Sequence, residues 1–156
     1  MKTLIAYDSM YGNTEQIAHS IGRAIAGEVK VVLASEADSS ELEVINWLIV
    51  GSPTQGFRAT ESVQTFVSGL SAGSLKGINV AAFDTRMTSE DVGRGLRLIM
   101  KVGGYAAPRI AKVLEKKGGN LMAPPTGFFV KDKEGPLKEG ELERAASWAK
   151  EITPAL

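Results

Sequence analysis

The stretch of sequence that decides the fold is TLIAYDSMYGNT, which spans residues 3–14. It starts with a short apolar run, Thr3–Tyr7, and continues into a loop rich in hydroxyl and amide side chains, Asp8–Thr14. A helical pattern follows directly over Thr14–Ala26, where apolar residues recur at helical spacing. A strand, a polar loop and a helix in immediate succession indicate the first unit of an α/β fold.

The same alternation continues along the rest of the chain. Further apolar runs lie at residues 29–33, 44–50, 78–83 and 127–130. Helical patterns lie at residues 60–70, 91–102, 105–117 and 138–152. Three of the runs are apolar almost throughout, as expected for strands that are covered on both faces. The sequence therefore predicts one domain over residues 1–156, with a parallel sheet and helices on both of its faces.

The composition excludes several classes of function. The chain has no cysteine and a single histidine, His19, so we expect no metal site and no hydrolytic nucleophile. Its 18 basic and 18 acidic residues balance, which favours neither a nucleic acid nor an anionic membrane as partner. No apolar stretch approaches the roughly 20 residues of a membrane span. We expect a cytoplasmic protein, because the lack of cysteine fits a reducing compartment.

The loop at residues 8–14 is the strongest candidate for a binding site. Ligands of parallel sheets bind beyond the carboxyl ends of the strands, where this loop lies. It offers three hydroxyls, an amide and a glycine, but no lysine or arginine. It matches neither the nucleotide-hydrolysing P-loop nor the dinucleotide-binding fingerprint. Two interpretations stay open: backbone N–H groups that hold a monophosphate, and a loop that only caps the following helix.

Three parts of the sequence resemble the flavodoxin family. Ser9–Thr14 resembles the FMN-phosphate loop, and Val50–Gly56 resembles the loop after the third strand. Short stretches between Phe128 and Ala149 resemble the last strand and the last helix. The resemblance implies a doubly wound, five-stranded parallel sheet in the order 2-1-3-4-5 with helices on both faces. It also implies non-covalently bound FMN as the cofactor.

The resemblance further implies a set of cofactor contacts in three loops. The first loop would hold the phosphate through Ser9, Met10, Tyr11, Gly12, Asn13 and Thr14. The second loop would lie along the flavin ring with Pro53, Thr54, Gln55, Gly56 and Phe57. The third loop would start at Asp84, Thr85 and Arg86. Asp84 and Thr85 would reach the pyrimidine edge of the ring, and Arg86 would lie near its N1–O2 edge.

Alternatives remain for several of these features. Phe57 either stacks on the flavin or is an ordinary half-buried loop residue, and Arg86 either lies beside the flavin or is solvated. No tryptophan or tyrosine stands at residues 84–86, which departs from the commonest pattern of the family. The segment 87–103 looks like an insertion after the fourth strand. We favour a helix packed on the domain there, and the alternative is a docking surface for a partner protein or a quinone.

The leading functional hypothesis is an electron carrier that shuttles electrons between redox partner proteins through FMN and transient contacts. Such a carrier needs no catalytic side chain, because the chemistry belongs to the flavin. The alternative is an FMN-dependent oxidoreductase of the same fold, of the quinone reductase or porphyrinogen dehydrogenase type. The neutral net charge and the insertion favour that alternative. A flavin-free interaction module is disfavoured by the complete phosphate loop. The resemblance to flavodoxins leads us to predict a carrier rather than a turnover enzyme.

Overall fold

The structure is a computed structural model that describes residues 1–88 and 104–154. Its strands are β1 (Lys2–Tyr7), β2 (Glu28–Leu33), β3 (Trp47–Pro53), β4 (Asn79–Arg86), β5 (Asn120–Leu121) and β6 (Thr126–Phe129). Its α-helices are α1 (Asn13–Ala24), α2 (Glu61–Ser68), α3 (Ala106–Lys116) and α4 (Glu141–Ile152). Two short 3-10 helices, Ala34–Glu36 and Ser39–Glu43, lie between β2 and β3.

The sheet is parallel and confirms the predicted strand order. Its strands follow one another as β2-β1-β3-β4-β5, and β6 also pairs with β4. β5 pairs with the start of β4, at Asn79 and Val80, and β6 pairs with its end, from Phe83 to Arg86. The fifth position of the sheet is thus filled by two short strands rather than one. The segment between them contains Pro124-Pro125, which lacks the N–H groups that a sheet needs.

Helices cover both faces of the sheet, which explains the apolar character of its strands. Neighbouring residues of β1 and β3 point into opposite core clusters, as in the pairs Leu4/Ile5 and Leu48/Ile49. One cluster includes buried side chains of α2 and α3, and the other includes those of α1 and α4. Because both faces are buried, these strands have no solvent side that would require polar residues.

Two strands extend further than their sequences suggest, and both extensions reach the site described below. β3 runs on through Gly51 to Pro53, beyond the apolar run at residues 44–50. The ring of Phe83 occupies the space that a Cβ at position 51 would need, which accounts for the glycine. β4 likewise continues through Asp84 to Arg86, where the sequence had predicted the start of a loop.

The predicted insertion at residues 87–103 lies, apart from Met87 and Thr88, outside the described residues. The described chain resumes with Gly104 and Tyr105, and α3 begins at the next residue. Within residues 1–88 and 104–154, no helix combines the length and the apolar character that crossing a membrane would require.

Candidate functional site

A cavity of about 540 Å³ lies at the carboxyl end of the sheet. This volume is within the usual range for small-molecule sites, roughly 300–1,000 Å³. All three predicted loops line it, and it includes every predicted site residue except Gly12 and Asp84. Four residues that the sequence did not suggest also line it: Met87, Tyr105, Val130 and Lys133.

The first loop is held in shape by its own side chains. Gly12 has a φ of +89°, a conformation that glycine adopts without steric cost, and it turns the chain into α1. The Ser9 hydroxyl accepts hydrogen bonds from the N–H groups of Gly12 at 3.1 Å and Glu15 at 3.3 Å. The Asp8 carboxylate accepts from the Ser9 N–H at 2.8 Å and from the Ser62 hydroxyl at 2.9 Å. The loop is therefore ordered by contacts within the protein.

Several backbone N–H groups of this loop are nevertheless left without a partner. Within the described ranges, no hydrogen bond is made by the N–H groups of Met10, Tyr11, Asn13 and Thr14. Asn13 and Thr14 are also buried, at 8% and 1% exposure. The first N–H groups of a helix have no partner within the helix, and together they form a favourable site for an anion. A phosphate bound at this loop would satisfy them.

The side chains of Asn13 and Thr14 connect the first loop to the rest of the site. The Asn13 amide donates to the Glu134 carbonyl at 3.1 Å. The Thr14 and Thr85 hydroxyls are hydrogen-bonded to each other at 2.8 Å, in a buried position. The two side chains thus join separate segments of the site. Both residues also line the cavity, and the contact of their side chains with the phosphate stays a prediction.

The second loop is a tight hairpin. Gln55 and Arg58 exchange backbone hydrogen bonds of 2.8 and 3.0 Å around Gly56 and Phe57. These central residues have φ values of +53° and +69°, the sign that a type I′ turn requires at both positions. For a phenylalanine this conformation is strained, and such strain is found mainly at functional sites. Phe57 is half-buried and lies on the cavity wall.

Asp84 holds the third part of the site together but does not line the cavity. Its carboxylate is fully buried and accepts hydrogen bonds from Arg86 Nε at 2.6 Å and Nη2 at 2.8 Å. It also accepts the Ala107 N–H at 2.8 Å. Burial raises the pKa of the Asp84 carboxyl, while Arg86 and the Ala107 N–H act in the opposite direction. These contacts occupy the Asp84 carboxylate inside the protein, so a contact of residue 84 with the pyrimidine edge stays a prediction that rests on its backbone.

Arg86 is fixed on the cavity wall. Its guanidinium carbon lies 3.6 Å from the centre of the Tyr105 ring, a cation–π arrangement. Its side chain also occupies the space that a Cβ at Gly127 would need. Only 16% of the side chain is exposed, so the alternative of a solvated arginine is wrong.

Tyr105 and Lys133 are the site residues that sequence reasoning missed. Tyr105 supplies an aromatic ring next to Arg86, although the sequence at residues 84–86 contains none. Tyr105 follows the inserted segment and is therefore distant in sequence from Arg86, so the contact between the two residues could not be predicted. Its position at the start of the predicted helical pattern 105–117 was the available signal. Lys133 lies in a charged turn, residues 131–134, and no local pattern linked that turn to the cavity.

These features fit FMN in three respects. The cavity has a suitable volume, and unpartnered N–H groups lie at the end formed by the first loop. Its walls include the aromatic side chains of Tyr11, Phe57 and Tyr105, which can contact a planar ring. The donor set therefore suits a molecule that has a phosphate at one end and a flat aromatic system at the other.

Comparisons with known proteins agree with this description. The sequence pattern of the family described as "Flavodoxin domain" matches residues 4–132, which is most of the chain. A comparison with curated proteins found no match.

Similar solved structures include several flavodoxins. Oxidised flavodoxin 1 from Bacillus cereus is 18% identical, with 100% of this chain and 99% of that chain covered and a TM-score of 0.77. Oxidised flavodoxin 2 from the same organism is 24% identical, with 97% of each chain covered and a TM-score of 0.76. A flavodoxin from the domain Archaea is 22% identical, with 98% and 96% covered and a TM-score of 0.74. At these identities the likeness establishes the fold.

Proposed function

The chain belongs to the flavodoxin family, and from that premise we propose that it carries electrons between redox partner proteins through one non-covalently bound FMN. The flavin supplies the redox chemistry by taking up and releasing electrons. The protein binds the cofactor, orients it and controls its surroundings. We also propose that this exchange takes place in the cytoplasm, because a chain without cysteine fits a reducing compartment.

The observation that carries the proposal is the set of unpartnered N–H groups at the start of α1. Met10, Tyr11, Asn13 and Thr14 contribute one such donor each, and we propose that they bind the FMN phosphate. The loop is held in place by hydrogen bonds of the Thr14 side chain to the Thr85 hydroxyl and of the Asn13 side chain to the Glu134 carbonyl. Hydrogen bonds of Ser9 and Asp8 hold the loop that carries these donors in one arrangement, and such pre-organisation lowers the cost of binding.

The opposite part of the cavity is suited to the flavin ring. We propose that Phe57 and Tyr105 contact the ring, and that Pro53, Thr54, Gln55, Gly56 and Thr85 complete its surroundings. Arg86 adds a positive charge that Asp84 and Tyr105 hold in a fixed position. A cation beside a flavin ring stabilises negative charge on it and so raises the reduction potential.

Electron transfer to a second protein tests the proposal directly. The FMN-loaded protein is reduced under anaerobic conditions and mixed with oxidised cytochrome c, and cytochrome reduction is followed by absorbance. We expect about two cytochromes to be reduced per FMN, because a fully reduced flavin holds two electrons. Free FMN at the same concentration is the control for electrons that leave through dissociated cofactor.

The same preparation distinguishes the carrier from the enzyme alternative. With NAD(P)H and a soluble quinone but no second protein, the loaded chain is expected to give no more turnover than free FMN. Sustained NAD(P)H oxidation by the chain alone would show an FMN-dependent oxidoreductase instead. Failure to reduce cytochrome c would also contradict the carrier function.

A further inference from the structure

We propose that Lys133 supplies a positive charge at the phosphate end of the cavity and so helps the site to prefer FMN over riboflavin, which has no phosphate. The proposal rests on the FMN-binding function given above. It goes beyond it by adding a cation to a site for which residues 8–14 offer only neutral donors.

The turn is fastened to the first loop. The Asn13 amide donates to the carbonyl of Glu134, the residue next to Lys133, at 3.1 Å. Gly135 follows with a φ of +101°, and a Cβ there would lie 2.6 Å from Asn13 Oδ1. The turn and the Asn13 side chain are therefore in close contact, which places Lys133 at the end of the cavity formed by the first loop.

The turn also has a defined shape of its own. The Gly135 N–H donates to the Asp132 carbonyl at 2.9 Å, and the Lys131 N–H donates to the Pro136 carbonyl at 2.8 Å. The Asp132 carboxylate accepts the backbone N–H of Lys133 at 2.7 Å. Lys133 thus extends from an ordered backbone and lines the same cavity as Ser9, Asn13 and Thr14.

The Lys133 ammonium is available to a ligand. Lys133 is exposed, and its ammonium forms no ion pair with any residue of the described ranges 1–88 and 104–154. A phosphate monoester carries between one and two negative charges near neutral pH. An exposed lysine and such an anion attract each other with the strength of a surface ion pair, which corresponds to a change in affinity of up to about fivefold.

The test compares four flavin-free proteins: the unchanged chain, Lys133→Gln, Lys133→Arg and Lys131→Gln. Lys131 is the matched control, since it lies in the same turn, is exposed and does not line the cavity. Each protein is titrated with FMN and with riboflavin, and binding is followed by flavin fluorescence. Thermal unfolding of each flavin-free protein checks that the substitutions leave the fold intact.

We expect Lys133→Gln to weaken FMN binding about fivefold at low salt. The difference should shrink to less than about twofold near 1 M salt, where the Debye length is only about 3 Å. Riboflavin affinity should not change, and Lys133→Arg and Lys131→Gln should behave like the unchanged chain.

If the unchanged chain binds FMN, three results would overturn the role of Lys133 without affecting the proposed function. They are an unchanged FMN affinity in Lys133→Gln, an equal loss of FMN affinity in Lys131→Gln, and an equal loss of riboflavin affinity in Lys133→Gln. The second result would indicate a general effect of net charge, and the third a change in cavity shape. If the unchanged chain does not bind FMN, the proposed function itself fails and the inference fails with it.

Discussion

Replacement of Ser9 by aspartate is expected to weaken FMN binding by about 100-fold or more, because a carboxylate in this loop would repel the negatively charged phosphate. The Ser9 hydroxyl already accepts hydrogen bonds from the N–H groups of Gly12 and Glu15, so a carboxylate would be held at this position. A negative charge near the start of a helix is favourable for the helix itself. The flavin-free protein should therefore stay folded, as measured by urea unfolding.

Two controls isolate the electrostatic effect of the Ser9→Asp substitution. Ser39→Asp makes the same change at the exposed start of the 3-10 helix Ser39–Glu43, and FMN affinity should not change. Riboflavin, which lacks the phosphate, should bind Ser9→Asp nearly as well as the unchanged chain. If Ser9→Asp retains full affinity for FMN, the phosphate does not bind at this loop.

Removal of the Asp84 carboxylate is expected to lower the free energy of unfolding more than any other single substitution proposed for this chain. Asp84→Ala would leave the mostly buried guanidinium of Arg86 without its counter-ion, and the Ala107 N–H without its acceptor. Breaking a buried ion pair in this way typically costs about 3–5 kcal/mol. The free energy of unfolding of the flavin-free protein, measured in urea, reports the effect.

A second substitution shows whether the unpaired charge is the cause. The double variant Asp84→Ala/Arg86→Ala removes both charges, and we expect it to recover about 1–2 kcal/mol relative to Asp84→Ala. Glu28→Ala is the matched control, because it breaks the exposed Lys2–Glu28 pair and should change stability little. The account is contradicted if Asp84→Ala behaves like Glu28→Ala, or if the double variant is less stable than the single one.

The fold and the first loop could be predicted because their signals are local. The apolar run of β1, the polar loop and the periodicity of α1 are contiguous in sequence, and both faces of the sheet are buried. The flavodoxin family and FMN as its cofactor were predicted from this loop together with two later parts of the sequence, and both are confirmed. The assignment of individual residues to parts of FMN stays a prediction.

The predictions that differ from the structure concern residues whose contacts lie far away in the sequence. Asp84 was expected to end its strand because a charged residue normally ends an apolar run. Its partner Ala107 lies 23 residues further along the chain, and that pairing is not visible in the local sequence. Tyr105 was missed because the segment 87–103 separates it from Arg86, against which it packs.

Asn13 has a second contact that the sequence did not indicate. Its type and position match the phosphate loop of the family, and its contact with the phosphate stays a prediction. Its amide also donates to the carbonyl of Glu134, which is 121 residues away. That contact, which positions a second segment, is visible only in the folded arrangement.

Titration of the unchanged, flavin-free chain with FMN and with riboflavin tests the central claim most directly. The claim is that the cavity binds FMN and recognises its phosphate through the N–H groups at the start of α1. Because several charge-assisted hydrogen bonds depend on the phosphate, FMN should bind at one molecule per chain and about 100-fold more tightly than riboflavin. Equal affinities for the two flavins, or no binding of FMN, would contradict the account.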